Sequence, residues 1–231
     1  MAGRRLEKLL ASRPALLVSL PRNDLALAEA ALAAGADGLK VHLNVHHHAS
    51  GTHFGSWTEE REAIEAILAL GAPVGIVPGT RECMITPGEA EALESAGVDF
   101  VDAYLQDMPD WLPEQAREMS VMAALGWSDA AAGWDLGPLQ GRCSLLEASV
   151  VPPDGYGAPL QAEDLAAYAA LARRHPGLPA LVPTQRALEP HQVAEVLATG
   201  MRGILIGAIV TGRTPEGLAR ATGDFAAAVR G

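Results

Sequence analysis

Eight short apolar runs recur along this chain, at 15–20, 38–43, 73–77, 100–104, 120–124, 143–149, 180–183 and 203–206. Stretches with helical spacing of apolar residues accompany them, at 24–34, 58–70, 87–95, 112–118, 162–175, 190–199 and 215–229. Short runs bounded by glycine and proline read as strands, and strands alternating with helices build a parallel sheet covered by helices. The segment 128–139 is broken by glycine and proline, so any helix there is short. The fold class is therefore α/β. Eight such units are expected to close as a (β/α)8 TIM barrel forming a single domain over residues 1–231, with a doubly wound sheet as the other arrangement of the same pattern.

The punctuation sorts the loops into two sets. Gly35, Gly97 and Gly200 each follow a helix and precede a strand, where glycine ends a helix in the left-handed conformation. Pro87, Pro190 and Pro215 open helices, where a missing N–H costs nothing. Those connections belong to the bottom of a barrel. The loops after the strands, at 43–57, 78–86, 105–112, 150–161, 184–189 and 207–214, belong to the face on which barrels carry chemistry.

Composition narrows the partners. Hydrophobic residues at 49% and charged residues at 19% describe a globular chain. A formal net charge of −11 argues against a nucleic-acid partner, which needs a basic surface. A small anionic substrate stays open, because backbone amides can oppose the global field locally. Cys83 and Cys143 are too few for a disulfide framework and are expected as reduced thiols. No apolar run nears the roughly 20 residues of a membrane span. Ser12, Arg13 and Pro14 break the apolar stretch near the N-terminus, so a cleaved signal is not expected. The expectation is a cytoplasmic protein without a membrane partner, its oligomeric state open to a homodimer.

The end of the second run holds the strongest local signal. Strand alternation sets Lys40, His42 and Asn44 on one face and Leu39, Val41 and Leu43 on the other, so the polar set points into the barrel. Lys40 is one of only two lysines among 17 basic residues, which makes an inward lysine notable. Such a lysine suits a Schiff base, proton transfer or an anionic substrate, or it neutralises a barrel carboxylate without chemistry. Asp102 and Glu147 sit late in apolar strands and are either acid/base groups or partners of Lys40. Five of the seven histidines lie within 42–53. No cofactor is expected, but His42, His46 and His48 are an alternative set for a divalent metal; otherwise the loop, with His47, contacts substrate as a lid or is solvated.

Rim positions complete the candidate list. Ser19, Arg22, Arg81, Tyr156 and Arg186 lie at or beyond strand ends, where they either bind an anion or form ordinary polar contacts. The last two runs lead into Thr184-Gln185-Arg186 and Gly207-Ala208, the loops that commonly cradle phosphate in barrels. The alternative there is a plain turn capped by Thr214 ahead of Pro215.

Taken in order, several segments resemble the ribulose-phosphate-binding barrels, and most of all the N-acetylmannosamine-6-phosphate 2-epimerase family. They are Ala36-Asp37-Gly38-Leu39-Lys40-Val41, Ala72-Pro73-Val74-Gly75-Ile76-Val77, Ile85-Thr86-Pro87, Val98-Asp99-Phe100-Val101-Asp102-Ala103, Gly155-Tyr156-Gly157 and Gly207-Ala208-Ile209-Val210-Thr211. The resemblance implies a barrel with a phosphate cradle. It departs at the chemistry: Pro78 stands where that family places its catalytic lysine, and Thr184 stands at or near its catalytic glutamate. Three functions are expected to compete. The first is an isomerase, epimerase or lyase acting on a phosphorylated metabolite. The second is a metal-dependent hydrolase or lyase, and the third is a barrel that binds without catalysis.

Overall fold

The computed structural model describes residues 4–231, so the first three residues of the expected domain lie outside it. Eight parallel strands hydrogen-bond into a closed barrel, β1 (Ala15–Ser19), β2 (Gly38–His42), β3 (Val74–Val77), β4 (Phe100–Tyr104), β5 (Ser120–Gly126), β6 (Leu145–Ser149), β7 (Ala180–Pro183) and β8 (Gly203–Ile206). Neighbours follow chain order, and β8 pairs with β1 to close the ring. The expected barrel is borne out, and the doubly wound sheet is excluded.

Helices α1 (Arg5–Ser12), α2 (Leu25–Ala33), α3 (Trp57–Leu68), α4 (Pro87–Ala96), α5 (Leu112–Gln115), α6 (Ala162–Arg174), α7 (Val193–Ala198), α8 (Ala208–Thr211) and α9 (Pro215–Arg230) accompany the barrel. Local chemistry fixes their starts: Asp24 accepts from the Leu27 amide, Ser56 and Thr86 form capping boxes with Glu59 and Glu89, and Thr214 accepts from the Gly217 amide. The link from β5 to β6 has only two 3-10 turns, Trp127–Ala132 and Gly137–Leu139. The segment expected as a helix over 112–118 stops at Gln115, with Ala116 already outside helical geometry. The segment expected over 190–199 divides into a 3-10 turn, Pro190–Gln192, and α7. None of the described helices is long and apolar enough to cross a membrane.

Two apolar zones follow from strand alternation. Outward residues such as Leu39, Val41, Ile76 and Ile204 pack in the large core shared with the helices. Inward residues Ala15, Leu17, Phe100, Met122, Leu145, Leu181 and Leu205 fill the lower barrel together with Leu6 and Leu10 of α1, which plugs its bottom. Asp99 holds that plug, accepting from the Arg5 and Leu6 amides at 3.0 and 2.9 Å.

Gly75 is required by this packing. A β-carbon there would lie 2.0 Å from the Phe100 ring, which occupies the space beside it. Gly75→Ala is expected to cost about 3 kcal/mol through overpacking, measured as a shift in urea midpoint, and Phe100→Leu in the same chain should recover part of the loss.

Candidate active site

The apolar filling stops one step above Phe100. There β2, β4 and β6 send Lys40, Asp102 and Glu147 inward, and all three are nearly fully buried. Lys40 Nζ donates to Asp102 Oδ2 at 2.7 Å and to Glu147 Oε2 at 2.5 Å. Ser149 Oγ donates to Glu147 Oε1 at 2.7 Å. One cation thus faces two carboxylates in a space from which water is largely excluded.

The charges distribute unevenly. Burial alone would discharge Lys40, but the two carboxylates outweigh it and hold the ammonium above its usual pKa. Burial and the neighbouring Glu147 push Asp102 well above the usual carboxylate range, beyond what Lys40 offsets. Burial opposes ionisation of Glu147 too, yet Lys40 and its hydrogen bonds hold its pKa below normal. The two carboxyls beside the ammonium are thus pushed in opposite directions, Asp102 towards its protonated form and Glu147 towards its ionised one.

The loop after β2 forms one wall. Asn44 adopts a left-handed conformation (φ 53°), ending the strand alternation. His46–His47 then pairs with Thr52–His53 as a two-stranded hairpin. Phe54 stacks on His42 with ring centroids 4.6 Å apart, and the His42 and His47 rings are 4.7 Å apart. His47 Nδ1 is 2.8 Å from Ser50 Oγ, and His42 Nε2 is 3.3 Å from Ser19 Oγ. Burial, with His47 and Lys40 nearby, drives the His42 pKa well below its ordinary value. Burial and Lys40 lower that of His47 to about 4.

A pH dependence of stability follows. Between about 6.5 and about 4 the unfolded chain protonates this histidine and the folded chain does not, so stability is lost as pH falls through that window. Urea midpoints measured across it should fall less steeply for His47→Gln than for the unaltered chain.

Two adjoining cavities open at this end of the barrel. The larger, about 240 Å³, is lined by Lys40, His42, Asp102 and Glu147, with Tyr104 and Tyr156 among its walls. The smaller, about 90 Å³, brings Lys40 and Glu147 together with Ser19, Thr184, Gln185 and Gly207. His47 lines both. Lys40 and the Gly207 turn thus share one mouth.

The turn has its own internal bonding. The Gly207 amide is already donated to Thr184 Oγ1 at 2.9 Å. In the single turn of α8, the Val210 and Thr211 amides both bond Gly207 O, so the amides of Ala208 and Ile209 are those without an intrahelical carbonyl.

Arg22, Arg81, Arg186 and Asn44 stand apart from the mouth, whereas Gln185, His46 and His48 border it. Arg186 grips Asp164 at 2.8 and 3.0 Å and donates to Gly155 O, so its guanidinium fastens α6 to the loop after β6. Arg22 is exposed, paired with Asp24 and bonded to Arg213 O. Arg81 is exposed beside the hairpin Gly79–Thr80/Cys83–Met84 and donates to Gln106 O. Asn44 serves the loop, its amide donating to Gly55 O. Gln185 accepts from the Val151 amide and donates to the Tyr156 hydroxyl at 2.6 Å, positioning that ring. His46 and His48 are exposed, and among the described residues no three His, Cys, Asp or Glu side chains are grouped to hold a metal ion. Tyr104 and Ser149 belong to the site although the sequence reading passed over them. Each lies two residues beyond a singled-out carboxylate and so on the same inward face.

No protein-family model matches the chain, and no curated protein does either. Solved structures do. Mycobacterium tuberculosis tryptophan synthase matches at a TM-score of 0.74 and 15% identity, covering 99% of each chain. Thiamine phosphate pyrophosphorylase from Pyrococcus furiosus matches at 0.66 and 15%, covering 96% of this chain and 98% of that one. A 3-hexulose-6-phosphate synthase matches at 0.62 and 16%, covering 93% and 99%. At these identities the similarity establishes a shared (β/α)8 barrel fold.

Proposed function

We propose that this chain is an enzyme acting on a small phosphorylated, sugar-phosphate-like metabolite, by proton transfer beside a carbonyl group. The reaction class is isomerase, epimerase or lyase. The observation that carries the proposal is the Lys40 ammonium held between Asp102 and Glu147 at the floor of the mouth. The names of two barrels of the same fold, thiamine phosphate pyrophosphorylase and 3-hexulose-6-phosphate synthase, support a phosphorylated ligand for this one.

In this reading the phosphate sits in the smaller cavity against Ser19, Thr184 and the first amides of α8. Glu147, the ionised carboxylate, removes a proton from the carbon next to the carbonyl. The electron pair of that C–H bond forms a C=C bond to the carbonyl carbon, and the C=O π pair moves to the oxygen, where Lys40 and the protonated Asp102 stabilise the negative charge. When the neighbouring hydroxyl passes its proton to the former carbonyl oxygen, return of the carbon-bound proton to the other carbon isomerises the substrate; return to the opposite face of the same carbon epimerises it. A Schiff base would need a neutral amine, and two carboxylates keep Lys40 charged.

The test is solvent exchange. Ribulose 5-phosphate and ribose 5-phosphate incubated with the protein in D2O are expected to gain deuterium beside the carbonyl, read by proton NMR. Lys40→Arg should retain measurable exchange, and borohydride should trap no adduct. An adduct on Lys40, or no exchange with any phosphorylated carbonyl compound, overturns the proposal.

A further inference from the structure

His47 lines both cavities together with Lys40 and Glu147, whereas Ser19, Thr184, Gln185 and Gly207 line the smaller one alone. It therefore sits where the cavities join, beside the reacting groups of the proposed site and away from its phosphate end. Its two ring nitrogens have different surroundings. Nδ1 is 2.8 Å from the hydroxyl of Ser50, in the turn of the hairpin. Nε2, across the ring, meets no hydrogen-bond partner among the described residues. It is nevertheless absent from the buried side-chain atoms left unpaired there, which are His42 Nδ1, Asp102 Oδ1 and Thr222 Oγ1. Nε2 is therefore accessible, on the side of the ring turned away from the hairpin.

Ser50 decides which nitrogen carries the proton. The residue is fully buried, and among the described residues its hydroxyl oxygen meets two groups only, His47 Nδ1 and the Thr52 amide at 3.4 Å. The amide can only donate, so the hydroxyl proton has a single acceptor, His47 Nδ1. Were Nδ1 protonated, two donors would face the Ser50 oxygen and its own proton would be buried with nothing to receive it, an arrangement folded proteins avoid. A ring uncharged at neutral pH carries one proton, and that proton is then on Nε2.

We infer that His47 is a hydrogen-bond donor to the substrate's carbonyl oxygen, its Nε2–H presented to the mouth by the bond that Ser50 makes to Nδ1. The inference rests on the proposed proton transfer beside a carbonyl group and adds a donor to the oxygen on which charge develops. An uncharged imidazole does this without bringing a second cation beside Lys40. Ser50 acts through His47 and is a positioning residue.

Nitrogen-15 NMR of the histidine-labelled, unaltered protein at neutral pH reads the tautomer, with the His47 signals identified by their loss in His47→Gln. Nε2 is expected to carry the proton and Nδ1 to accept a hydrogen bond. In Ser50→Ala the Nδ1 signal should move downfield, as an imine nitrogen does on losing its donor. A proton on Nδ1, or an Nδ1 signal indifferent to Ser50→Ala, overturns the inference. Deuterium exchange into ribulose 5-phosphate reads the contact itself. His47→Leu, with folding checked by circular dichroism, is expected to lower kcat by about 100-fold, the scale of one lost donor to a developing oxyanion. KM should stay within about threefold. Affinity for ribitol 5-phosphate, which has no carbonyl group, should also change by no more than about threefold, read by calorimetry. An unchanged kcat, or a loss confined to KM and ribitol 5-phosphate affinity, overturns the inference and leaves the proposed function in place. Absence of exchange by the unaltered protein with any phosphorylated carbonyl compound overturns the proposed function and this inference with it, whichever tautomer is found.

Discussion

Lys40→Met is expected to destabilise the folded protein by about 3–5 kcal/mol at neutral pH. Among the described residues the lysine is the only cation paired with the buried Asp102 and Glu147, and its loss leaves the ionised Glu147 uncompensated beside a second carboxyl. Methionine fills much of the same volume, so the effect is one of charge and not of a cavity. Its pH dependence has a definite sign. Without the cation the folded-state carboxyls protonate more readily than those of the unfolded chain, so the folded state holds more protons. The penalty is then greatest at high pH and is relieved as pH falls. Urea unfolding at pH 5 and pH 8 reads this directly. Adding Asp102→Asn and Glu147→Gln to Lys40→Met removes the uncompensated charges and should restore most of the stability, with no return of deuterium exchange. A Lys40→Met protein as stable as the unaltered chain at pH 8 would mean that the carboxylates are paired elsewhere.

The convergence of those three groups was legible in the sequence because strand alternation is rigid. Residues two apart on a strand share a face, so Lys40 and His42, like Asp102 and Glu147, had to point inward once the runs were read as barrel strands. Alternation does not reveal how far around the barrel a side chain reaches. Alternation alone therefore leaves acid/base and ion-pair roles for Asp102 and Glu147 open, and the structure adds that Lys40 bridges β4 and β6. The arginines show the opposite limit. Arg22, Arg81 and Arg186 sit beyond strand ends as anticipated, but their long side chains turn to Asp24, Gln106 and Asp164. No local pattern encodes such a choice. The loop after β2 was visible as a histidine cluster, and its hairpin and the stacking of Phe54 on His42 were not. Weak β signals in a glycine-containing loop say little until tertiary contacts select them. The resemblance to the epimerase family agrees with the fold; at its points of departure, Pro78 O accepts from the Ile85 amide and Thr184 Oγ1 from the Gly207 amide, which are structural tasks.

Glu147→Gln is expected to lower the deuterium-exchange rate by about 10³-fold, the scale of a lost general base. Ribitol 5-phosphate affinity should stay within threefold. The amide keeps the volume of the side chain and its oxygen can still accept from Lys40 or Ser149, while Asp102, already paired with Lys40, takes up the compensating negative charge. Asp102→Asn should cost far less, because Asp102 holds a proton in the resting network and an amide N–H supplies a similar donor. The pH profiles separate the two roles. With Glu147 ionising below the ordinary carboxylate range and Asp102 retaining its proton well above it, exchange should form a plateau between the two ionisations. It should fall in acid as Glu147 protonates and in alkali as Asp102 ionises. Asp102→Asn is expected to abolish the alkaline limb and keep the acid one. Were Asp102→Asn the more damaging variant, with the acid limb lost instead, the two carboxyls would exchange roles, the base would lie on β4, and the proton would leave the opposite face of the substrate.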